Sequence, residues 1–423
     1  MWKKLHRIWS IPELRHSILF VIWMLVIFRL VAHIPIPGVN VDNLRAFLAG
    51  NQILGLLNVF SGGTIENFSI VMLGIAPYIT ASIIFQLLTM VVPSLEELSK
   101  EGEMGQQKIN MYTRLATVPL ALLQAFGFIQ LLSQSQAAIF DQSSKWQLAS
   151  TMLIVTTGTV FLMWIGELIT EKKIGNGISL LIFAGIVAGL PGAVRNGIVN
   201  YTPADLYTYL LFAAIVIVTI VGVVIVSEGQ RNIPVSYAKQ IRGGRVLGGA
   251  MSHLPLRVNM AGVIPIIFAI SIILFPSMIA QFFVTKAGLL GRAANLTINL
   301  FNNQLFYGIL YFLLVFGFTY FYTAVVFQPQ KMAENLQRQG GFIPGIRPGK
   351  ETEQYLSKTM TRLVFGGALF LAIIAVLPLL MQLVTNSQTL VIGGTGLLIV
   401  VSVAIETTKQ IEAQLTVHEY DRI

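Results

Sequence analysis

Leu56-Leu-Asn-Val-Phe-Ser-Gly-Gly-Thr-Ile-Glu-Asn-Phe-Ser-Ile-Val-Met-Leu-Gly-Ile-Ala-Pro-Tyr-Ile-Thr-Ala-Ser-Ile-Ile-Phe-Gln-Leu-Leu88 joins two segments of opposite character. From Ser69 to Leu88 the residues are almost all apolar, and at about 1.5 Å per residue they reach across the hydrocarbon of a bilayer. The preceding part, Leu54 to Asn67, carries Glu66 and is broken at Ser61-Gly-Gly63, where glycine permits a sharp reversal. Such a segment is too broken to span and too apolar for water. It belongs in a protein-lined cavity at membrane depth, the one place there that tolerates irregular backbone. The remainder of the chain then has to build that cavity.

Composition agrees. Of 423 residues, 55% are hydrophobic and only 11% charged, and the mean hydropathy is +0.73. These values predict a polytopic membrane protein. The N-terminus has no small-residue cleavage site after its first apolar run, so that run is expected to be retained as a helix. With no cysteine, disulfides, thiolate metal sites and cysteine nucleophiles are excluded.

Ten apolar runs are expected as spans, near 18–34, 70–92, 114–133, 148–169, 178–191, 207–226, 261–282, 305–327, 362–383 and 389–408. With both termini cytoplasmic, 22 of the 28 Lys and Arg residues fall in cytoplasmic loops or at their edges. The opposite face keeps Arg45, Lys145, Arg195, Lys286 and Arg292, and Arg29 lies within the first run. This is the asymmetry of the positive-inside rule, and a ten-span count produces it. Ten spans divide after the fifth, in the outer stretch 191–200, into an N-terminal half, 1–200, and a C-terminal half, 201–423. Because five is odd, the halves run through the membrane in opposite senses, as inverted repeats do around a central site. The expected fold is an all-α polytopic membrane protein of ten transmembrane helices in two inverted five-helix halves around a central pore.

Two long cytoplasmic loops, 228–258 and 328–361, are rich in Gly and Pro, which fix backbone shape around single arginines. A shaped basic loop suits an acidic or RNA-rich partner, whereas unshaped basic loops only anchor topology. Inside the spans, chemistry is sparse. Arg29 and Glu167 lie near span ends, and all five histidines fall in loops or at helix ends. Ser82 and Ser271 have no base near them in sequence, and no Gly-x-x-x-x-Gly-Lys nucleotide loop occurs. Neither a metal site nor an intramembrane hydrolase is built from these residues, so no cofactor and no enzymatic activity are expected.

Several motifs follow one another along nearly the whole chain: Ala32-His-Ile-Pro-Ile-Pro-Gly38, Phe60-Ser-Gly-Gly63, Pro77-Tyr-Ile-Thr-Ala-Ser82, Lys100-Glu-Gly-Glu103, Gly175-Asn-Gly-Ile178, Val258-Asn-Met-Ala-Gly-Val-Ile-Pro265, Gly341-Phe-Ile-Pro-Gly-Ile-Arg-Pro348 and Gly393-Gly-Thr395. In this order and at these topological positions the chain resembles the SecY family, the pore-forming subunits of bacterial protein translocases. Taken alone, the pairs Ile75/Ile79 and Ile182/Ile186, each four apart on one helix face, are ordinary core or lipid packing. The resemblance implies instead a pore ring of Ile75, Ile79, Ile182, Ile186, Ile267 and Ile399. It likewise implies a plug at about 54–67, including Phe60, Ser61, Gly62, Gly63, Thr64 and Ile65. A lateral gate is implied between the second and seventh spans, with Thr80, Gln86 and Asn259 as its polar cluster. Docking of a cytoplasmic partner falls on Arg242, Arg245, Arg347 and Lys350. Relatives often have adjacent basic residues where this chain reads Gly244-Arg245.

What the resemblance implies is a protein-conducting channel of the bacterial cytoplasmic membrane. It moves unfolded preproteins and signal peptides across, and releases apolar segments sideways into the lipid bilayer. SecE and SecG are implied as companion subunits, with a SecA motor or a ribosome on the cytoplasmic face. A secondary solute transporter with inverted repeats is the alternative. It requires convergent polar groups at midplane, which the sequence does not place there.

Overall fold

Proline and glycine set the ends of the N-terminal elements. In the computed structural model, which describes residues 6, 8–50, 58, 61–133, 145–199, 206–237, 240–242, 245–247, 251–281, 283–284, 288–385 and 393–420, the chain is mainly helical. Among the described residues seven helices are long and apolar enough to cross a membrane, or eight if one bent pair is a single span. α1 (Pro12–Val31) opens with proline in its first turn, where a missing N–H costs nothing. After it, Ile36 N–H donates to Phe68 O (2.9 Å) and Ile70 N–H to Ile34 O (3.1 Å), which ties the Ala32–Gly38 motif to the decisive run. α2 (Val41–Gly50) follows.

The expected span from Ser69 needs correction. Residues 61–75 form consecutive turns, and helix begins only at α3 (Ala76–Val91). Phe68 (φ 45°) and Gly74 (φ 58°) adopt left-handed backbone, which no right-handed helix accommodates, and Pro77 then opens α3. Val92 is extended, as the residue before a proline prefers, so α4 (Pro93–Lys100) leaves α3 at 100°.

α5 (Glu103–Ser133), α6 (Lys145–Glu171), α7 (Gly177–Val199) and α8 (Leu206–Glu228) follow. The Gly175–Ile178 motif is the hairpin between α6 and α7. Asn176 Oδ1 accepts from the N–H groups of Ile178 and Ser179 at 3.1 Å each, capping α7. A Cβ on Gly177 would collide with the Gly166 carbonyl. α7 continues through Pro191 to Val199, so 191–199, expected as an outer connection, is helix. Val194 and Ile198 carry the apolar spacing on past the proline.

All-α is a second expectation to correct. The loop after α8 folds into β1 (Gln230–Tyr237) and β4 (Met251–Arg257), antiparallel from Gln230↔Arg257 to Ser236↔Met251, with a small hairpin of β2 (Gln240–Arg242) and β3 (Arg245–Leu247) between them. α9 (Ile264–Gln281), α10 (Leu289–Asn302), α11 (Gln304–Val326) and α12 (Pro329–Arg338) come next. β5 (Gly341–Phe342) then adds to the other edge of β1 (Ser236↔Phe342, Tyr237↔Gly341), joining the two long loops. α13 (Lys350–Thr385) and α14 (Gly393–Tyr420) complete the chain. The sheet stands on Ile233, Leu256, Phe327, Ile343, Leu356 and Met360, a core of its own.

The main core lies between helices from both ends of the chain. α9 packs on α3, α5 and α11, and α14 packs on α7 and α8. A second core, with Leu44, Ile65, Phe68, Met72, Phe128 and Ile129, seats the turns 61–75 against α2 and α5. α8 exposes Leu210, Ile217, Val218, Val221 and Ile225, an apolar face that hydrocarbon covers without cost.

Candidate functional site

Four helices and the Gly-broken segment converge on one cavity of about 80 Å³. α3 contributes Ala76, Ile79 and Thr80, with Ile75 at its N-cap; α7 contributes Ile182; α9 contributes Ile267, Ile270, Ser271 and Phe275. Ser61 and Ile65 close it from the turns, and Gln124 and Phe128 from α5. Of the six isoleucines expected as a ring, Ile75, Ile79, Ile182 and Ile267 line this space. Ile186 and Ile399 do not line it, but all six are buried in one continuous core. The volume holds a few waters and not a polypeptide. Stiff β-branched isoleucines give the cavity well-defined walls, with Ser61, Thr80, Gln124 and Ser271 as its polar lining.

The described part of the segment expected as a plug is held by polar contacts and by the packing of Ile65. Ser61 Oγ and Gly63 N–H donate to Asn58 O (2.9 and 2.8 Å). Thr64, fully buried, donates to Ser61 O and to Met72 O (3.1 and 3.3 Å). The Glu66 carboxylate accepts from Asn58 Nδ2 (3.3 Å) and pairs with Arg45 (3.3 Å) on α2. Gly62 and Gly63 both take left-handed φ, 78° and 77°. The backbone of Gly62 lies directly on that of Gly185 in α7: a Cβ on either would sit 2.6 Å from the other's Cα. Phe60 lies outside the described residues.

α3 and α9 pack along a seam, but the expected polar residues do not bond to one another across it. Thr80 Oγ1 donates to Ala76 O (3.0 Å) in its own helix and accepts from Gln124 Nε2 (3.5 Å) of α5. Gln86 Nε2 donates to Ser82 Oγ (3.2 Å), and Asn259 Nδ2 to Gly262 O (3.2 Å) at the turn before α9. Each finds a local partner, the habit of short polar side chains. Gln86 Oε1 and Asn259 Oδ1 stay buried without one among the described residues.

On the face carrying the sheet, Arg347 and Lys350 are exposed. The side chains of Arg242 and Arg245, in β2 and β3, lie outside the described residues. Ile270 and Gln124 are among the lining residues missed in the sequence. Ile270 follows Ile267 by three on one face of α9, a signal already used for the other isoleucines. Gln124 is 5% exposed within a span, and an amide at that depth marks a partner.

Residues 69–408 match the family model described as SecY. The chain is 44% identical over 434 residues to protein translocase subunit SecY of Halalkalibacterium halodurans, covering 99% of both chains. It is also 44% identical to that of Vibrio cholerae, over 98% of this chain and 94% of the relative. Among solved structures it resembles a protein-conducting channel with TM-score 0.58 at 17% identity, over 93% of this chain and 91% of that one. Sec61 in the canine ribosome-channel complex from the endoplasmic reticulum is matched with TM-score 0.57 at 16% identity, over the same shares. The translocase relatives and a match across four-fifths of its length lead to one conclusion: this chain belongs to the SecY family.

Proposed function

We propose that this chain is the central protein-conducting channel of a Sec translocase in a bacterial cytoplasmic membrane, with both termini cytoplasmic. It is a channel subunit and not an enzyme, and family membership favours it over a solute transporter. The observation that carries the reading is the small cavity closed by Ile75, Ile79, Ile182 and Ile267 above Ser61 and Ile65. Ten spans in two inverted halves, 1–200 and 201–423, would place that constriction between them; the packing of α9 on α3 and of α14 on α7 supports this.

In this mechanism the ring excludes ions by dewetting and seals around a passing chain without hydrogen-bonding it. The segment 54–67 is the plug and moves aside when the pore opens. α3 and α9 part so that a segment apolar enough leaves by partition, at a few tenths of a kcal/mol per apolar residue. SecE and SecG flank the channel. Energy comes from a SecA motor or a ribosome docked through Arg347, Lys350, Arg242 and Arg245.

Planar-bilayer conductance of the purified complex tests the ring. Replacing Ile79 and Ile182 together by asparagine wets the constriction and is expected to open a resting ion conductance absent from the unaltered complex. Silence of the double variant would remove the ring assignment.

A further inference from the structure

Arg29 is the one basic residue inside the first apolar run, and neither the ring, the seam nor the docking face uses it. It stands in the last turn of α1, half-buried, and its Nη1 donates to the Gly62 carbonyl at 2.7 Å, 33 residues away in sequence. No ion pair joins it to a carboxylate among the described residues. Gly62 is seated tightly where it meets Arg29. Its φ of 78° aims the carbonyl, a Cβ there would run into Gly185 Cα at 2.6 Å, and the ring of Phe28, the neighbour of Arg29, lies 3.5 Å from the same point. The turn Ser61–Gly63 is thus clasped between α1 and α7 with a guanidinium on its outward-turned oxygen.

We propose that Arg29 is the latch of the plug, a positioning residue that holds the Ser61–Gly63 turn in the closed pore through the Gly62 carbonyl and lets go as the pore opens. This rests on the reading of 54–67 as a plug. A guanidinium half-buried at the end of a span gains from an acceptor, so the closed state is favoured by supplying one. That acceptor is a neutral carbonyl. A carboxylate partner would add charge pairing to the hydrogen bond and be slower to release. A single charge-assisted bond to backbone is strong enough to bias the plug shut and weak enough to break when a substrate enters. Being a backbone contact, it is also indifferent to the plug's side chains. Once the plug has moved, pore water solvates the guanidinium.

The chain has no cysteine, so Thr64→Cys places a single thiol in the plug at a fully buried position. The test uses the whole complex in membranes, with any partner cysteines replaced, and follows labelling by a small impermeant thiol reagent. Conductance is read in parallel, and deletion of 61–65 serves as the reference for an absent plug. Arg29→Leu is expected to raise the labelling rate about tenfold, the population shift that corresponds to one such bond, and to open a resting conductance approaching that of the deletion. Arg29→Gln, short and neutral, is expected to do the same if the leucine variant is poorly recovered. Arg29→Lys, which keeps a charged donor, is expected to restore most of the protection. Unchanged labelling in both neutral variants, with the deletion still conducting, overturns the latch and leaves the plug standing. A silent deletion overturns both.

Discussion

Arg347 is exposed, yet the backbone beneath it is tied on both sides. Ile346 N–H donates to Ile343 O (3.0 Å), Thr352 Oγ1 donates to Arg347 O (2.9 Å), and Gly345 and Gly349 take left-handed φ of 82° and 100°. A side chain so presented contributes little to folding, since exposed substitutions usually change stability by under about 0.5 kcal/mol. We therefore expect Arg347→Glu to reduce preprotein transport at least tenfold while thermal unfolding in detergent stays unchanged. Arg347→Gln, which adds no charge beside Glu351, is the control, and normal transport in both would end the docking role. The exposed setting of Arg347 was legible because glycine and proline announce a shaped loop. Arg29 was visible only as a charge near a helix end, because its partner lies 33 residues on and no local spacing encodes that contact. Gly185 lies within the apolar run 178–191, and nothing local gives it a purpose. Its use, a bare surface for the backbone of Gly62, exists only once α7 meets the turn.

Helices were legible as apolar runs because hydrocarbon demands them over a fixed length. Their interruptions were written in the sequence too, but more locally: Gly74 and Pro77 delay α3 within a run whose mean apolarity hides both, and Pro93 follows where that run ends. The sheet was not legible. Pro234 and Pro255 sit inside β1 and β4 and argue against strands there, and β5 pairs with β1 from far along the chain. At the seam the structure supplies a sign that composition did not. Gln86 Oε1 and Asn259 Oδ1 are buried without partners in the closed state, and opening offers them water. Replacing both by leucine removes that closed-state penalty, about 1–3 kcal/mol for each, and takes away the gain on wetting, so both effects favour closure. At a few tenths of a kcal/mol per leucine, the midpoint for sideways release in a graded series of test segments should move by at least two to four leucines toward greater hydrophobicity. A midpoint equal to that of the unaltered channel would refute the gate assignment.

Across the whole molecule, contacts between remote parts of the chain decide function: α9 on α3, α14 on α7, Gly62 on Gly185. None has a sequence signature beyond the apolar character of its helices, and the cavity they enclose could be reached from the sequence only through resemblance. The pairing of Ser236 and Tyr237 with Phe342 and Gly341 is of this kind, and it has a bearing on biosynthesis. A growing chain that has finished β1 must still produce and insert α9 to α11 before the strand's second edge can be covered. Until then that edge is open, as unpaired strands are prone to be. The three-stranded sheet is thus among the last parts to mature, and under the proposed docking role a half-made channel would not yet present this face to a partner. A chain ending at Val326 is expected to be cut by trypsin between Gln230 and Arg257 several times faster than the full chain in the same membranes, whereas equal rates would mean that β1 and β4 stand without β5. Nascent copies would in this way be kept from being put to work before they can seal.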